Sequence, residues 1–196
     1  MTKTIFYFHG FKSSSDSNKA KIFKRFLKDS SKNTRVFIPD LKNRFEEAIE
    51  QIQNLLDGAD GADGADGEII FAGSSLGGYY ATIFAEKYNA KAILINPAIH
   101  PLKDFEEYLG ENVNYSTDDK FFINQSDIDF LRSLHSNKIS SPCNFLVLLE
   151  SGDEILNYLE TISFYEGSYI DIAFGGDHSY SSFEKKLNHI HSFLNL

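Results

Sequence analysis

Apolar residues follow two alternating rhythms along the chain. Thr4–Phe8 is an almost unbroken apolar run of β-formers, which predicts a strand covered on both faces. The polar stretch Lys12–Ser17 offers several N-caps, and behind it Ile22, Phe23, Phe26 and Leu27 recur at helical spacing. Lys19, Lys21, Lys24, Arg25 and Lys28 surround that stripe, so an amphipathic helix with a solvated basic face is expected. Arg35–Ile38 predicts a second strand, stopped by Pro39-Asp40, and Phe45, Ala48, Ile49, Ile52 and Leu56 a second helix. Ile69–Phe71 and Ala92–Ile95 predict two more strands, flanking a helix over Tyr79–Glu86. Asn144–Leu149 and Ser168–Phe174 predict the last strands, and Phe183, Leu187, Ile190 and Leu194 one face of a closing helix. Such alternation implies an α/β fold. Its mostly parallel sheet carries helices on both faces and functional groups at the carboxyl ends of the strands.

Two stretches break the rhythm. Residues 57–67 repeat Asp-Gly-Ala with a period of three, and glycine at every third position predicts a flexible acidic loop. The repeat lacks the alternate-position oxygens and terminal Glu of an EF-hand, so it is not read as a calcium site. Residues 97–142 contain short apolar groupings: Asp104, Phe105, Tyr108 and Leu109 suggest a short helix, Phe121-Phe122 an apolar spot, and Ile128, Leu131 and Leu134 another helix. Placed after the fourth strand, this segment reads as a lid-like excursion over the carboxyl-end face, within a single domain spanning 1–196. Its Phe105, Tyr108, Phe121 and Phe122 are candidates to line a substrate-binding pocket, or else to pin the excursion to the core.

Composition narrows the function. A chain of 196 residues with 42% hydrophobic residues can bury one substantial core. Its 28 acidic residues against 19 basic ones leave a net charge of -9, which argues against a nucleic-acid partner because phosphates call for a basic surface. The lone Cys143 cannot form an internal disulfide, so a reducing cytoplasm is the expected location. The N-terminal apolar run Ile5–Phe8 is too short for a signal peptide. No run approaches the roughly 20 apolar residues of a membrane span.

The candidate chemistry begins at Gly73-Ser74-Ser75-Leu76-Gly77, between the third strand and its helix. This G-x-S-x-G pattern is that of a nucleophile elbow, in which glycines let strand and helix approach while a tight turn displays the serine hydroxyl. A serine hydroxyl is a weak nucleophile at neutral pH and needs a base with an orienting carboxylate, ordered Ser, acid, His along the chain. Asp153 falls just past one strand and His178 just past the next, so Ser75, Asp153 and His178 have that order at one sheet edge. Glu150 and Glu154 are rival acids, less well placed because Glu150 is still at the strand end and Glu154 is expected to open a helix. Among the other histidines, His9 is expected to shape its turn and His100, following Asn96-Pro97, could face the site, while His135 lies in the excursion and His189 and His191 in the final helix. Charge developing on an attacked carbonyl needs pre-aligned donors, and the backbone N–H groups of Phe11 and Leu76 are the expected oxyanion hole.

The residues then meet a known pattern. His9-Gly10-Phe11 with Ser13-Ser14 and Lys19-Ala20, Gly73–Thr82, Asn96-Pro97-Ala98, Tyr108–Asn112, Gly152-Asp153-Glu154 and Gly175-Gly176 with His178 together resemble the small bacterial α/β-hydrolase esterases of the YqiA/YcfP type. The resemblance runs over nearly the whole chain, with Ser15 where that family often has Pro and the Asp-Gly-Ala repeat peculiar to this sequence. It implies a minimal α/β-hydrolase fold, with Ser75 as nucleophile, His178 as base and Asp153 as acid. The implied activity is hydrolysis of a small acyl ester or thioester without metal or cofactor. An acyltransferase using the same triad, and a non-catalytic binding protein keeping the fold, are the rival readings.

Overall fold

Six strands form one parallel sheet, and each begins where an apolar run was expected. The computed structural model describes residues 2–63 (59–63 as backbone), 67–99, 105–134 and 138–196. In chain order the sheet strands are β1 (Lys3–Phe8), β2 (Thr34–Phe37), β3 (Glu68–Ser75), β4 (Lys91–Pro97), β7 (Phe145–Glu150) and β8 (Tyr169–Ala173). Their spatial order is β2-β1-β3-β4-β7-β8, and every pairing is parallel. The chain lays β2 on one side of β1 and then returns to lay β3 on the other. This reversal leaves a crevice beyond the carboxyl ends of β1 and β3, where α/β sheets bind ligands. Phe8 pairs with Gly73, so the turn after β1 lies beside the turn after β3.

Strand alternation divides the core between the two faces. Phe6, Phe8, Phe71, Leu94, Val147 and Leu149 pack under α2 (Phe45–Asp63) and α3 (Leu76–Tyr88). Ile5, Tyr7, Ile70, Ile93, Ile95 and Leu148 pack under α1 (Asn18–Ser30) and α6 (Leu187–Leu194). Each fully buried Phe or Ile of this set contributes about 1.5–3 kcal/mol of transfer free energy. Helix α1 starts where Ser17 caps it by accepting from the Ala20 N–H, and it buries the expected Ile22, Phe23 and Leu27.

The expected loop over 57–67 is corrected: α2 runs on to Asp63. Core-facing Phe45, Ala48, Ile52 and Leu56 supply the nucleus, after which each further residue adds a backbone hydrogen bond. Continuing through Gly58 and Gly61 costs only about 1 kcal/mol per glycine. Residues 64–66 of the repeat lie outside the described residues.

Between β4 and β7 the described residues form a one-turn 3-10 helix (Phe105–Tyr108), an antiparallel hairpin of β5 (Gly110–Val113) and β6 (Lys120–Ile123), and α4 (Gln125–Ser133). Asn124 and Asp127 cap α4 reciprocally. Ile123, Ile128 and Leu131 enter the core on the α2 side, and buried Asp127 accepts from Arg44 at 3.0 Å. The hairpin turn bonds to the segment after β1, with the Tyr115 N–H donating to Lys12 O at 2.9 Å and Asn114 Nδ2 to Ser13 O at 3.0 Å. A further helix, α5 (Tyr158–Phe164), links β7 to β8.

Candidate active site

Ser75 ends β3 with φ 55° and ψ -124°, a conformation that costs a non-glycine residue of order 1–3 kcal/mol and lifts its side chain clear of strand and helix. The register slips between Ser74 and Ser75, and the Ala98 N–H donates to Ser75 O at 3.1 Å, tying the bend to β4. Two glycines make the bend feasible. A Cβ at Gly77 would lie 2.1 Å from Phe8 O, and one at Gly73 2.1 Å from Gly77 O. Helix α3 can therefore begin directly against the ends of β1 and β3.

The candidate acid and base meet this serine. His178 Nε2 lies 3.0 Å from Ser75 Oγ, and His178 Nδ1 lies 2.8 Å from Asp153 Oδ2 and 3.0 Å from Oδ1. The Asp153 side chain is 2% exposed and that of His178 18%. Asp153 is held from behind, because its Oδ1 accepts from the N–H groups of Ile155 at 2.9 Å and Leu156 at 2.8 Å. Glu154 does not open a helix as expected; α5 starts at Tyr158, with Asn157 as its cap. An Asp153-capped turn occupies the intervening residues, and Glu154 accepts from the His178 backbone N–H at 2.9 Å, leaving the ring to Asp153.

The two residues expected to supply the oxyanion hole line a common space. Phe11 and Leu76 both line a crevice of about 20 Å³, shared with His9, Gly10, Leu41 and Tyr80, which is room for about one water-sized group. Leu76 opens α3, so its N–H has no acceptor within the helix. A larger surface cavity of about 470 Å³ runs along α2, lined by Lys42, Glu47, Glu50, Gln51, Asn54 and Leu55; neither it nor the crevice is lined by Ser75, Asp153 or His178. His9 shapes the β1 turn: its Nδ1 donates to Gly10 O at 2.9 Å and its Nε2 accepts from the Leu41 N–H at 3.0 Å. Burial holds its imidazole below the ordinary value against the raising effects of Gly10 O and Asp40, in keeping with a neutral ring that donates at one nitrogen and accepts at the other.

Three of the four expected pocket aromatics converge on Phe11. Its ring centroid is 5.5 Å from Phe105, 5.0 Å from Tyr108 and 5.9 Å from Phe121. Phe122 does not join them. Successive strand side chains point to opposite faces, and Phe122 is 61% exposed on the other side of the hairpin. The Lys12 ammonium sits 4.7 Å from the Tyr108 centroid and 5.3 Å from that of Tyr115, a cation–π brace between the β1 turn and the hairpin.

Sequence reasoning took Glu150 only as a rival acid and Asn96 only as part of a family pattern, and missed that they pair beneath the His178 segment. Asn96 and Glu150 are buried at the ends of neighbouring β4 and β7, and both bond to the chain around His178. The legible signal was a carboxylate closing the otherwise apolar Phe145–Leu149 run. His100 and His135 lie outside the described residues. His189 is in α6, bonded to Asp171, and His191 is in the same helix. Among the described residues no group of three or more His, Cys, Asp or Glu is gathered to hold a metal, and no helix is long and apolar enough to cross a membrane.

Solved structures of low identity share this fold. Alpha/beta hydrolase domain-containing protein 10 from mouse matches with a TM-score of 0.73 at 20% identity, over 98% of this chain and 89% of that one. Est1E from Butyrivibrio proteoclasticus, in a structure with ferulic acid bound, matches with a TM-score of 0.74 at 16% identity, over 98% and 88% of the two chains. The Pyrococcus furiosus esterase PF2001 matches with a TM-score of 0.66 at 14% identity, over 98% and 81%. The architecture is thus that of an α/β-hydrolase. The sequence model of the uncharacterised protein family UPF0227 matches residues 4–195, and the chain belongs to that family.

Proposed function

We propose that this protein is a serine hydrolase that cleaves carboxylic esters or thioesters through an acyl-enzyme on Ser75, His178 and Asp153. The observation that carries the reading is the unbroken chain of hydrogen bonds from Ser75 Oγ through both ring nitrogens of His178 to Asp153, at 3.0 and 2.8 Å. In this reading His178 Nε2 takes the Ser75 proton as Oγ attacks the acyl carbonyl. The N–H groups of Phe11 and Leu76 meet the oxyanion. His178 then returns the proton to the departing alkoxide or thiolate, and a water activated by the same nitrogen releases the acid. Residues 1–196 act as one domain, with 97–142 as a lid-like excursion. Phe105, Tyr108 and Phe121, gathered on Phe11, form one wall of the acyl site.

The test is the Ser75→Ala protein, assayed with a fluorophosphonate probe and a panel of acyl esters. The substitution removes one small polar atom and leaves the elbow glycines in place, so the fold is expected to persist while labelling vanishes. Hydrolysis should fall by roughly 10^4 to 10^6. Undiminished turnover or labelling would overturn the reading. Product analysis with added alcohols or amines separates hydrolysis from acyl transfer by the same serine.

A further inference from the structure

Glu150 is the last residue of β7 and has no exposed surface. A carboxylate withdrawn from water is costly unless its oxygens are satisfied, and here the segment bearing His178 satisfies them. Oε2 accepts from the Asp177 N–H at 2.8 Å and Oε1 from the Ser182 N–H at 3.0 Å, so the two bonds bracket His178. Buried Asn96 makes the clamp two-sided. Its Oδ1 accepts from the Glu150 N–H at 2.9 Å, and its Nδ2 donates to Asp177 O at 3.1 Å and His178 O at 3.4 Å. The segment runs so near the carboxylate that a Cβ at Gly176, where φ is 78°, would lie 2.1 Å from Glu150 Oε2. Glu150 reaches the acid as well: its carbonyl accepts from the Asp153 N–H at 3.1 Å, closing the turn that presents Asp153.

We infer that Glu150 is a positioning residue for the reaction proposed above, setting the ring of His178 against Ser75 and Asp153 by holding the main chain on both sides of His178. The inference rests on that hydrolase reading. Backbone N–H groups aimed at an ionised carboxylate make hydrogen bonds roughly twice as strong as neutral ones. Burial alone would raise the Glu150 carboxyl, but its bonds from Ser182 and Asp177 outweigh that and hold it below the ordinary carboxylate range. A neutral amide of the same shape cannot replace it, because one of its two terminal atoms would confront an N–H with an N–H. The chain around His178 would then shift. A displacement of about 1 Å of a reacting group costs on the order of 10²-fold in rate, whereas neither Glu150 nor Asn96 lines the crevice shared by Phe11 and Leu76.

The experiment compares wild type, Glu150→Gln, Gly176→Ala and Ser75→Ala as full-length proteins. It measures kcat and KM for one acyl ester, the rate of fluorophosphonate labelling, and Tm to show that each variant is folded at the assay temperature. Glu150→Gln is expected to lower kcat by about 10- to 100-fold with KM within about twofold, and to slow labelling by a similar factor. Gly176→Ala presses on the clamp from the exposed side while leaving the carboxylate in place. It should give the same split, and it decides the matter alone if Glu150→Gln does not fold. A folded Glu150→Gln protein with wild-type kcat and labelling would overturn the inference, whatever its Tm; so would the same result for Gly176→Ala if it is the only folded variant. Loss in Ser75→Ala keeps the hydrolase reading standing in either case, whereas turnover by Ser75→Ala would remove that reading itself.

Discussion

Replacing Asp153 by Asn tests the proposed relay at one atom. The two N–H groups of Ile155 and Leu156 both point at Asp153 Oδ1, at 2.9 and 2.8 Å, and they select the amide oxygen for that position. The amide NH2 is then left at the place of Oδ2, facing His178 Nδ1, now 2.8 Å away. A donor there stabilises the tautomer protonated at Nε2, which turns an N–H toward Ser75 Oγ and removes the base. A tautomer error of this kind costs about 10^4 in kcat in serine proteases. At about 1.36 kcal/mol per factor of ten, that is about 5.4 kcal/mol of transition-state stabilisation. Stability should change far less, because the bonds to Ile155 and Leu156 survive. Loss of the charge-assisted bond to a partly buried imidazole costs about 1–2 kcal/mol, or a Tm lower by about 2–8 °C for a chain of this size. The assay is kcat and KM on a chromogenic ester beside a melting curve, with Glu154→Gln as the rival acid. Among the described residues Glu154 bonds only the His178 main chain, so its substitution should cost at most about tenfold, the worth of one hydrogen bond. If Asp153→Asn retained kcat within tenfold of wild type while Glu154→Gln lost more, the acid would be misassigned.

Two further outcomes follow from particular contacts. Truncating Phe105, Tyr108 or Phe121 to Ala should reorder kcat/KM over a series of acyl-chain lengths, because an apolar wall discriminates by about 1–3 kcal/mol per methylene. Phe122→Ala, on the outer face of the hairpin, should leave the order unchanged, and an unchanged order in all four variants would mean that the acyl wall is elsewhere. For Asp171, burial by itself would raise the carboxyl, but the Lys186 ammonium at 2.7 Å and the His189 ring outweigh it and leave it below the ordinary range. A depressed folded value contributes stability above the unfolded pKa of about 3.9, lost as pH falls through the folded pKa. Asp171→Asn should therefore lower the unfolding free energy measured in urea at pH 7 by about 1 kcal/mol, and the gap to wild type should close below about pH 4. A gap that stays constant down to pH 3 would refute the pairing.

What could be read in advance was whatever side chains record by type. The apolar runs at Thr4–Phe8, Ala92–Ile95 and Asn144–Leu149 announce strands because a sheet covered on both faces admits little else. Ser75, Asp153 and His178 stood out because their chemistry is carried by their own side-chain atoms, each placed just past an apolar run. Weaker patterns hid real elements. Helix α5 has only seven residues, so the core-facing Tyr158 and Ile162 repeat the helical spacing just once, and β5, Gly110–Val113, has a single buried side chain, that of Asn112, and no apolar alternation to mark it. The repeat over 57–67 misled in the opposite direction, since composition disfavours a helix there while the nucleus laid down by Phe45–Leu56 carries one forward to Asp63. The deepest omission has a different cause. Glu150 was visible as an acid, yet its partners are the N–H groups of Asp177 and Ser182, which every residue but proline possesses and no residue type advertises. A carboxylate that closes a buried strand beside a candidate base raises the question of what satisfies it, and the answer lies in how the backbone folds back over the strand end.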